Sequence, residues 1–315
     1  MDGRNPQRQS PGGLLIDTVD RVRAQLERWL PLLVLVVGGL GLALSGPARR
    51  LVDLGAINVV LALLVAAAGL SIDPSAAVPS RRVLVRIGCA LAAGATVLPV
   101  IAWAAAQLVA DPALRGGVLS AGVAPTEVAS VAIVALAGGD AGAAAAILVG
   151  STVVSIVAAG PILRAFGGGS VAGPWSVALG LALVVGLPLL LGLVAGRRAR
   201  GNPNVPGVAG LASLVLVLIL VWLVGGQVRL DRGYVVVTLA LALFLAGSTA
   251  AGWLIALGIA PPDRLALILP VGMRDFAIAA GIAATAFGPA ATAPLGVYGL
   301  LVLLLGGVAT ARASR

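Results

Sequence analysis

Apolar stretches of about 20 residues recur along almost the whole chain, and no other feature restricts its fold so tightly. A run of that length, wound as an α-helix, covers the roughly 30 Å hydrocarbon core of a bilayer with every backbone group bonded internally. Ten such runs are read, at 30–46, 54–71, 83–109, 116–138, 141–165, 174–196, 207–226, 234–259, 264–287 and 290–311. Helix-breaking pairs such as Gly46-Pro47, Asp73-Pro74 and Pro261-Pro262 separate them,. Only 10% of the 315 residues are charged, where a soluble domain carries about 25%. Lipid is therefore the solvent for most of this surface, and the expected class is an all-α polytopic membrane protein.

Ahead of the first run, residues 1–13 are polar and expected to be disordered, without the residue order of a cleaved signal peptide,. Residues 14–28 place Leu15, Val19, Val22 and Leu26 on one helical face, an amphipathic interfacial helix with Trp29 near the headgroups,. The net charge of +9 is not a nucleic-acid signal. Every basic residue is arginine, and the arginines sit in short loops rather than in a stripe with aromatics,. With the N-terminus inside, 14 arginines fall on the cytoplasmic side and 6 outside. The positive-inside rule then puts both termini in the cytoplasm of a cell with this protein in its inner (plasma) membrane.

An even span count divides into two sets of five, at 29–165 and 166–315, and an odd number per set inverts the second set. The fourth and ninth spans become symmetry mates. Both carry charge well inside the membrane, Glu127 in one and Arg274 with Asp275 in the other. Each also has a helix breaker near the charge: Pro125 in one, Pro270 with Gly272 in the other,. Interrupted backbone at membrane depth is tolerated only inside protein or facing a water-filled cavity. Glu127, Arg274 and Asp275, with Thr126 beside them, are therefore read as substrate- or ion-binding candidates,. Glu127 and Arg274 are expected to pair across the crossing. Asp140 is read as a helix cap, and Asn58, Thr96 and Gln107 as interhelical hydrogen-bonding groups,.

No cofactor is expected. With no histidine and the single Cys89, most metal-hydrolase and triad chemistries are excluded,. A lipid-acting membrane enzyme would need clustered acids or a nucleophile–base pair, and neither is found outside the crossing.

The sequence resembles the bile acid:sodium symporter family at Gly69–Ser71, Ala92–Pro99, Ala124–Asp140 (APTEVASVAIVALAGGD) and Val271–Ala280 (VGMRDFAIAA). The resemblance implies ten helices in two inverted repeats. A panel of spans 1, 2, 6 and 7 would face a core of spans 3–5 and 8–10, with 4 and 9 crossing. It also implies cotransport of an organic anion with sodium. Of the family's side-chain sodium ligands, the serine is kept as Ser130 and its neighbouring asparagine becomes Val131. The two later hydroxyl ligands fall on Ala144 and Leu148. The ninth-span glutamate falls on Pro270, the ninth-span glutamine on Arg274 and the third-span glutamine on Gly94. Backbone oxygens near Val271 and Met273 remain. Sodium prefers oxygen ligands, and Arg274 sets a permanent positive charge where an ion would sit. The reading is a secondary transporter of a small organic anion, coupled to a proton or uncoupled. A sodium symporter using backbone ligands and a non-transporting sensor are the alternatives.

Overall fold

The computed structural model describes residues 29, 32–71, 81–167, 173–199, 202, 204–228, 232–260 and 263–313. The amphipathic segment at 14–28, the polar stretch at 1–13, Asp73-Pro74 and Pro261-Pro262 lie outside these. The described chain is helical: α1 Leu32–Ala43, α2 Ser45–Asp53, α3 Ala56–Ser71, α4 Arg81–Ala95, α5 Val97–Ala106, α6 Pro112–Val123, α7 Val128–Leu136, α8 Ala141–Gly167, α9 Pro174–Leu181, α10 Leu187–Arg198, α11 Asn204–Gly225, α12 Arg232–Ile255, α13 Leu265–Gly272, α14 Phe276–Phe287 and α15 Ala293–Ala313. Many of the largest apolar side chains face outward, Leu54, Val157 and Val235 among them, as lipid rather than water requires.

Six helical segments among the described residues are long and apolar enough to cross a bilayer, or seven if α1 and α2 form one span. The expected runs 30–46, 54–71, 116–138 and 264–287 do not pass alone, because they are short, bent or broken. The first bends by 87°. Its break lies at Leu44, not at Gly46-Pro47, which is inside α2. Pro47 occupies the first turn of α2, where its missing N–H has no helical partner to lose. Pro188 is accommodated differently. The segment Pro174–Arg198 stays continuous, and the turn before Pro188 widens into a π-helix at Ala182–Gly186, as expected where a proline deletes one i→i−4 bond.

α3 lies along α10 and α11, whereas α12 lies along α5 and α13, and α14 along α6. Glycines set these approaches. A Cβ on Gly192 of α10 would stand 2.2 Å from the Ala66 carbonyl oxygen, and one on Gly69 of α3 would stand 2.7 Å from that of Leu189. Backbone meets backbone there, the contact that small residues permit in membranes.

Arginine guanidinium groups tie the helix ends. Arg86 on α4 donates to the Ile255 and Leu257 carbonyls at 2.7 and 3.1 Å, closing the C-terminus of α12. Arg49 does the same for the Gly226 carbonyl at 3.0 Å. These carbonyls are the orphan acceptors of a helix end, where positive charge is also favoured. Asp140 caps α8 as expected, its carboxylate accepting from Ala143 N–H at 2.8 Å. Thr96 and Gln107 depart from expectation, because each donates to a carbonyl of its own helix, Ala92 and Trp103, rather than across an interface.

Candidate functional site

Two helices break in the middle of the fold, and their breaks meet. α6 ends at Val123 and α7 starts at Val128. Pro125 explains the gap: it carries no N–H, and it forces the preceding Ala124 into the extended conformation seen there (φ −64°, ψ 152°),. α13 ends at Gly272 and α14 starts at Phe276. Here the sequence expectation shifts. Pro270 remains inside the last turn of α13, and the chain leaves the helix at Met273 (φ −91°, ψ 106°). Gly272 is a packing position, since a Cβ there would meet Thr249 Oγ1 at 2.7 Å and its Cα at 3.1 Å.

The two extended stretches form an antiparallel bridge with Thr126 opposite Arg274. Glu127 N–H donates to the Met273 carbonyl at 2.9 Å, and Asp275 N–H donates to the Pro125 carbonyl at 2.8 Å. Each break thereby satisfies the other, which is what backbone at membrane depth requires. The remaining amides go to hydroxyls. Thr126 N–H donates to Ser151 Oγ of α8 at 3.0 Å, and Arg274 N–H to the Tyr298 hydroxyl of α15 at 3.3 Å. The last carbonyls of α13 are used as well: Pro270 accepts from the Thr126 hydroxyl at 2.8 Å and Gly272 from Ser248 at 3.0 Å.

Both carboxylates are N-caps. Glu127 precedes α7 and faces Ala129 N–H, while Asp275 precedes α14 and accepts from Ile278 N–H at 2.8 Å. A carboxylate at a helix N-terminus takes up an orphan donor and meets the positive end of the dipole. The two carboxylates are close enough to interact with each other. Glu127 also lies near the Phe276 amide at the start of α14, without a hydrogen bond of its Oε2 to any donor among the described residues.

The expected Glu127–Arg274 ion pair is not formed. Glu127 Oε2 and Arg274 Nε are both buried without a hydrogen-bond partner. The Arg274 side chain turns toward α4 instead. A Cβ on Gly94 would stand 3.6 Å from each terminal guanidinium nitrogen. Its electrostatic neighbours are Asp275 and Tyr298. The reason is directional: Thr126 and Arg274 are the opposed pair of the bridge, so Glu127 and Arg274 leave the two strands as successive residues facing different ways,.

The structure thus brings together Pro125, Thr126, Glu127, Met273, Arg274 and Asp275. Ser130 sits one turn into α7, fully buried, its hydroxyl donating to the Glu127 carbonyl at 2.7 Å. Tyr298, Ser151 and Ser248 belong to the crossing too, and sequence reading passed over them. Tyr298 is one of two tyrosines in the chain, and a polar tip inside an apolar span is the signal that marks it.

No curated protein matches this chain. Residues 58–231 match the Sodium Bile acid symporter family, more than half of the 315 residues. The match runs from α3 to the segment before α12 and includes the first broken helix with Glu127 and Ser130. The chain therefore belongs to the sodium bile acid symporter family, which is made up of secondary transporters and not of enzymes.

Proposed function

We propose that the chain carries a small organic anion by alternating access at the crossing, coupled to a proton or uncoupled. In this reading ten spans form two inverted sets, with spans 1, 2, 6 and 7 as a panel and the rest as a core. The broken pairs α6–α7 and α13–α14 each reach membrane-spanning length only when joined through their breaks. Local symmetry supports the repeat. Each break amide goes to a hydroxyl of the helix one span later, Ser151 or Tyr298. At the start of each broken helix an arginine hooks back onto the segment that follows the preceding helix, Arg115 to the Val109 carbonyl and Arg264 to that of Ile259. Reporter fusions at Arg315 and in the 197–205 loop are expected to report cytoplasm; a C-terminus on the outer side would remove the even span count and the inverted repeat with it.

The observation that carries the coupling is the guanidinium of Arg274 lying against Gly94. The family resemblance expects a glutamine at each of these positions. Here one side chain is absent and the other fills its space with a fixed cation. The backbone oxygens of Pro270, Gly272 and Met273 each accept a hydrogen bond already. With both carboxylates ionised the crossing sums to −1, which one proton on Asp275 or Glu127 would neutralise. In proteoliposomes loaded with a panel of labelled organic acids, replacing sodium by choline is expected to change uptake little, and an inward proton gradient to change it more. Steep, saturable sodium dependence at fixed pH would overturn this and favour sodium symport through backbone ligands. Binding without flux would favour a sensor.

A further inference from the structure

The two hydroxyls that receive the break amides are not equivalent. Ser151 is saturated where it stands, because it accepts from Thr126 N–H and passes its own proton to the Leu148 carbonyl at 3.0 Å. Tyr298 accepts from Arg274 N–H, but its phenolic proton has no acceptor among the described residues. The side chain is fully buried, its ring against Phe244 at 5.8 Å between centroids. Its oxygen lies within electrostatic reach of Arg274, Glu127 and Asp275 together. Glu127 Oε2 is the complementary case, a buried acceptor without a donor. Buried polar groups are nearly always hydrogen-bonded in native proteins. Arg274 Nε is a second surplus donor. Two surplus donors and one surplus acceptor in the same crossing, not bonded to one another, therefore describe the ligand that would satisfy them.

We propose that Tyr298, beside the Arg274 guanidinium, donates its phenolic proton to a carboxylate oxygen of the transported solute while Glu127 Oε2 accepts from an O–H on the same solute, so that the solute class is a small hydroxy acid rather than a plain carboxylate. The inference rests on the reading of the crossing as the transport site. A site built to hydrogen-bond a substrate hydroxyl rejects the analogue that lacks it.

Thermal stabilisation of the purified full chain tests the inference with two matched pairs, lactate against propionate and 3-hydroxybutyrate against butyrate. In at least one pair the hydroxy acid should reach half-maximal stabilisation at a concentration about 10-fold or more below its parent, the discrimination of one hydrogen bond to a charged group. Tyr298→Phe keeps the ring and should raise the half-maximal concentration about 10- to 100-fold. Ser213→Ala, on α11 and outside the crossing, removes only a bond to its own helix and should leave that concentration unchanged. Equal response to both members of each pair, no response to any of the four acids, or Tyr298→Phe and Ser213→Ala behaving alike would overturn the inference. The pairwise comparison on the wild-type chain stands even if Tyr298→Phe does not fold. Hydroxy-acid binding without flux in liposomes would leave this inference in place and overturn transport instead.

Discussion

Arg274→Gln is expected to abolish uptake, with the initial rate in proteoliposomes falling about 100-fold or more. Removing one member of a buried set of charges costs about 3–5 kcal/mol, because the charges left behind are uncompensated and still out of water. In this crossing the charges left behind are two carboxylates already close enough to interact, and the sum moves from −1 to −2. Partial rescue is expected from Arg274→Gln combined with Asp275→Asn, which restores −1. Asparagine is as good an N-cap as aspartate, so α14 keeps its start. Rescue by Glu127→Gln should be weaker, since the guanidinium interacts with Asp275 and Tyr298 and has no hydrogen bond to Glu127. Non-additivity of this kind is the signature of coupled neighbours. Wild-type uptake by Arg274→Gln would remove the guanidinium from the site. Equal rescue by both second changes would remove the preference for Asp275.

Gly192→Val should leave no folded protein to assay. A Cβ at that position would stand 2.2 Å from the Ala66 carbonyl oxygen and 3.0 Å from Gly69 Cα. Overpacking usually costs about 1–3 kcal/mol, relieved by a side chain that rotates away. Backbone cannot rotate away, so α3 and α10 would have to separate along their common length. The expected outcome is loss of the monodisperse peak on size-exclusion chromatography after detergent extraction. Gly88→Ala is the control: nothing lies within 4 Å of a Cβ built there, and alanine is the better helix former by about 1 kcal/mol. A monodisperse Gly192→Val protein would mean that α3 and α10 do not meet as closely as described.

The class of the fold and the place of the crossing were legible in the sequence because both rest on one-dimensional patterns. Apolar length marks a membrane helix, and a charge beside a breaker marks an interruption. What escaped was orientation. Opposite signs made Glu127 and Arg274 look like partners, but charge alone says nothing of the direction in which a side chain leaves an extended strand. Both carboxylates find compensation at helix N-termini, a source of positive potential that no residue letter records. Pro270 taken alone would set the break three residues early, whereas Gly272, read with it, is the last residue of α13. Within the last turn of a helix a proline removes a single bond, and the helix ended instead where Met273 could hand its carbonyl to Glu127. Tyr298 was missed because an aromatic residue in an apolar span reads as packing until the fold reveals which end of it is used.

The exchanged backbone bonds of the crossing also set conditions on biosynthesis. Thr126 and the Pro270 carbonyl it binds are 144 residues apart, so at about 5–20 residues per second roughly 7–30 s pass between their synthesis. Throughout that interval the first broken helix is in the membrane, or waiting beside it, with a Glu127 N–H and a Pro125 carbonyl that only the second can satisfy and with a carboxyl side chain for company. The two breaks are therefore expected to close together, as one late event of assembly after the second half has been made.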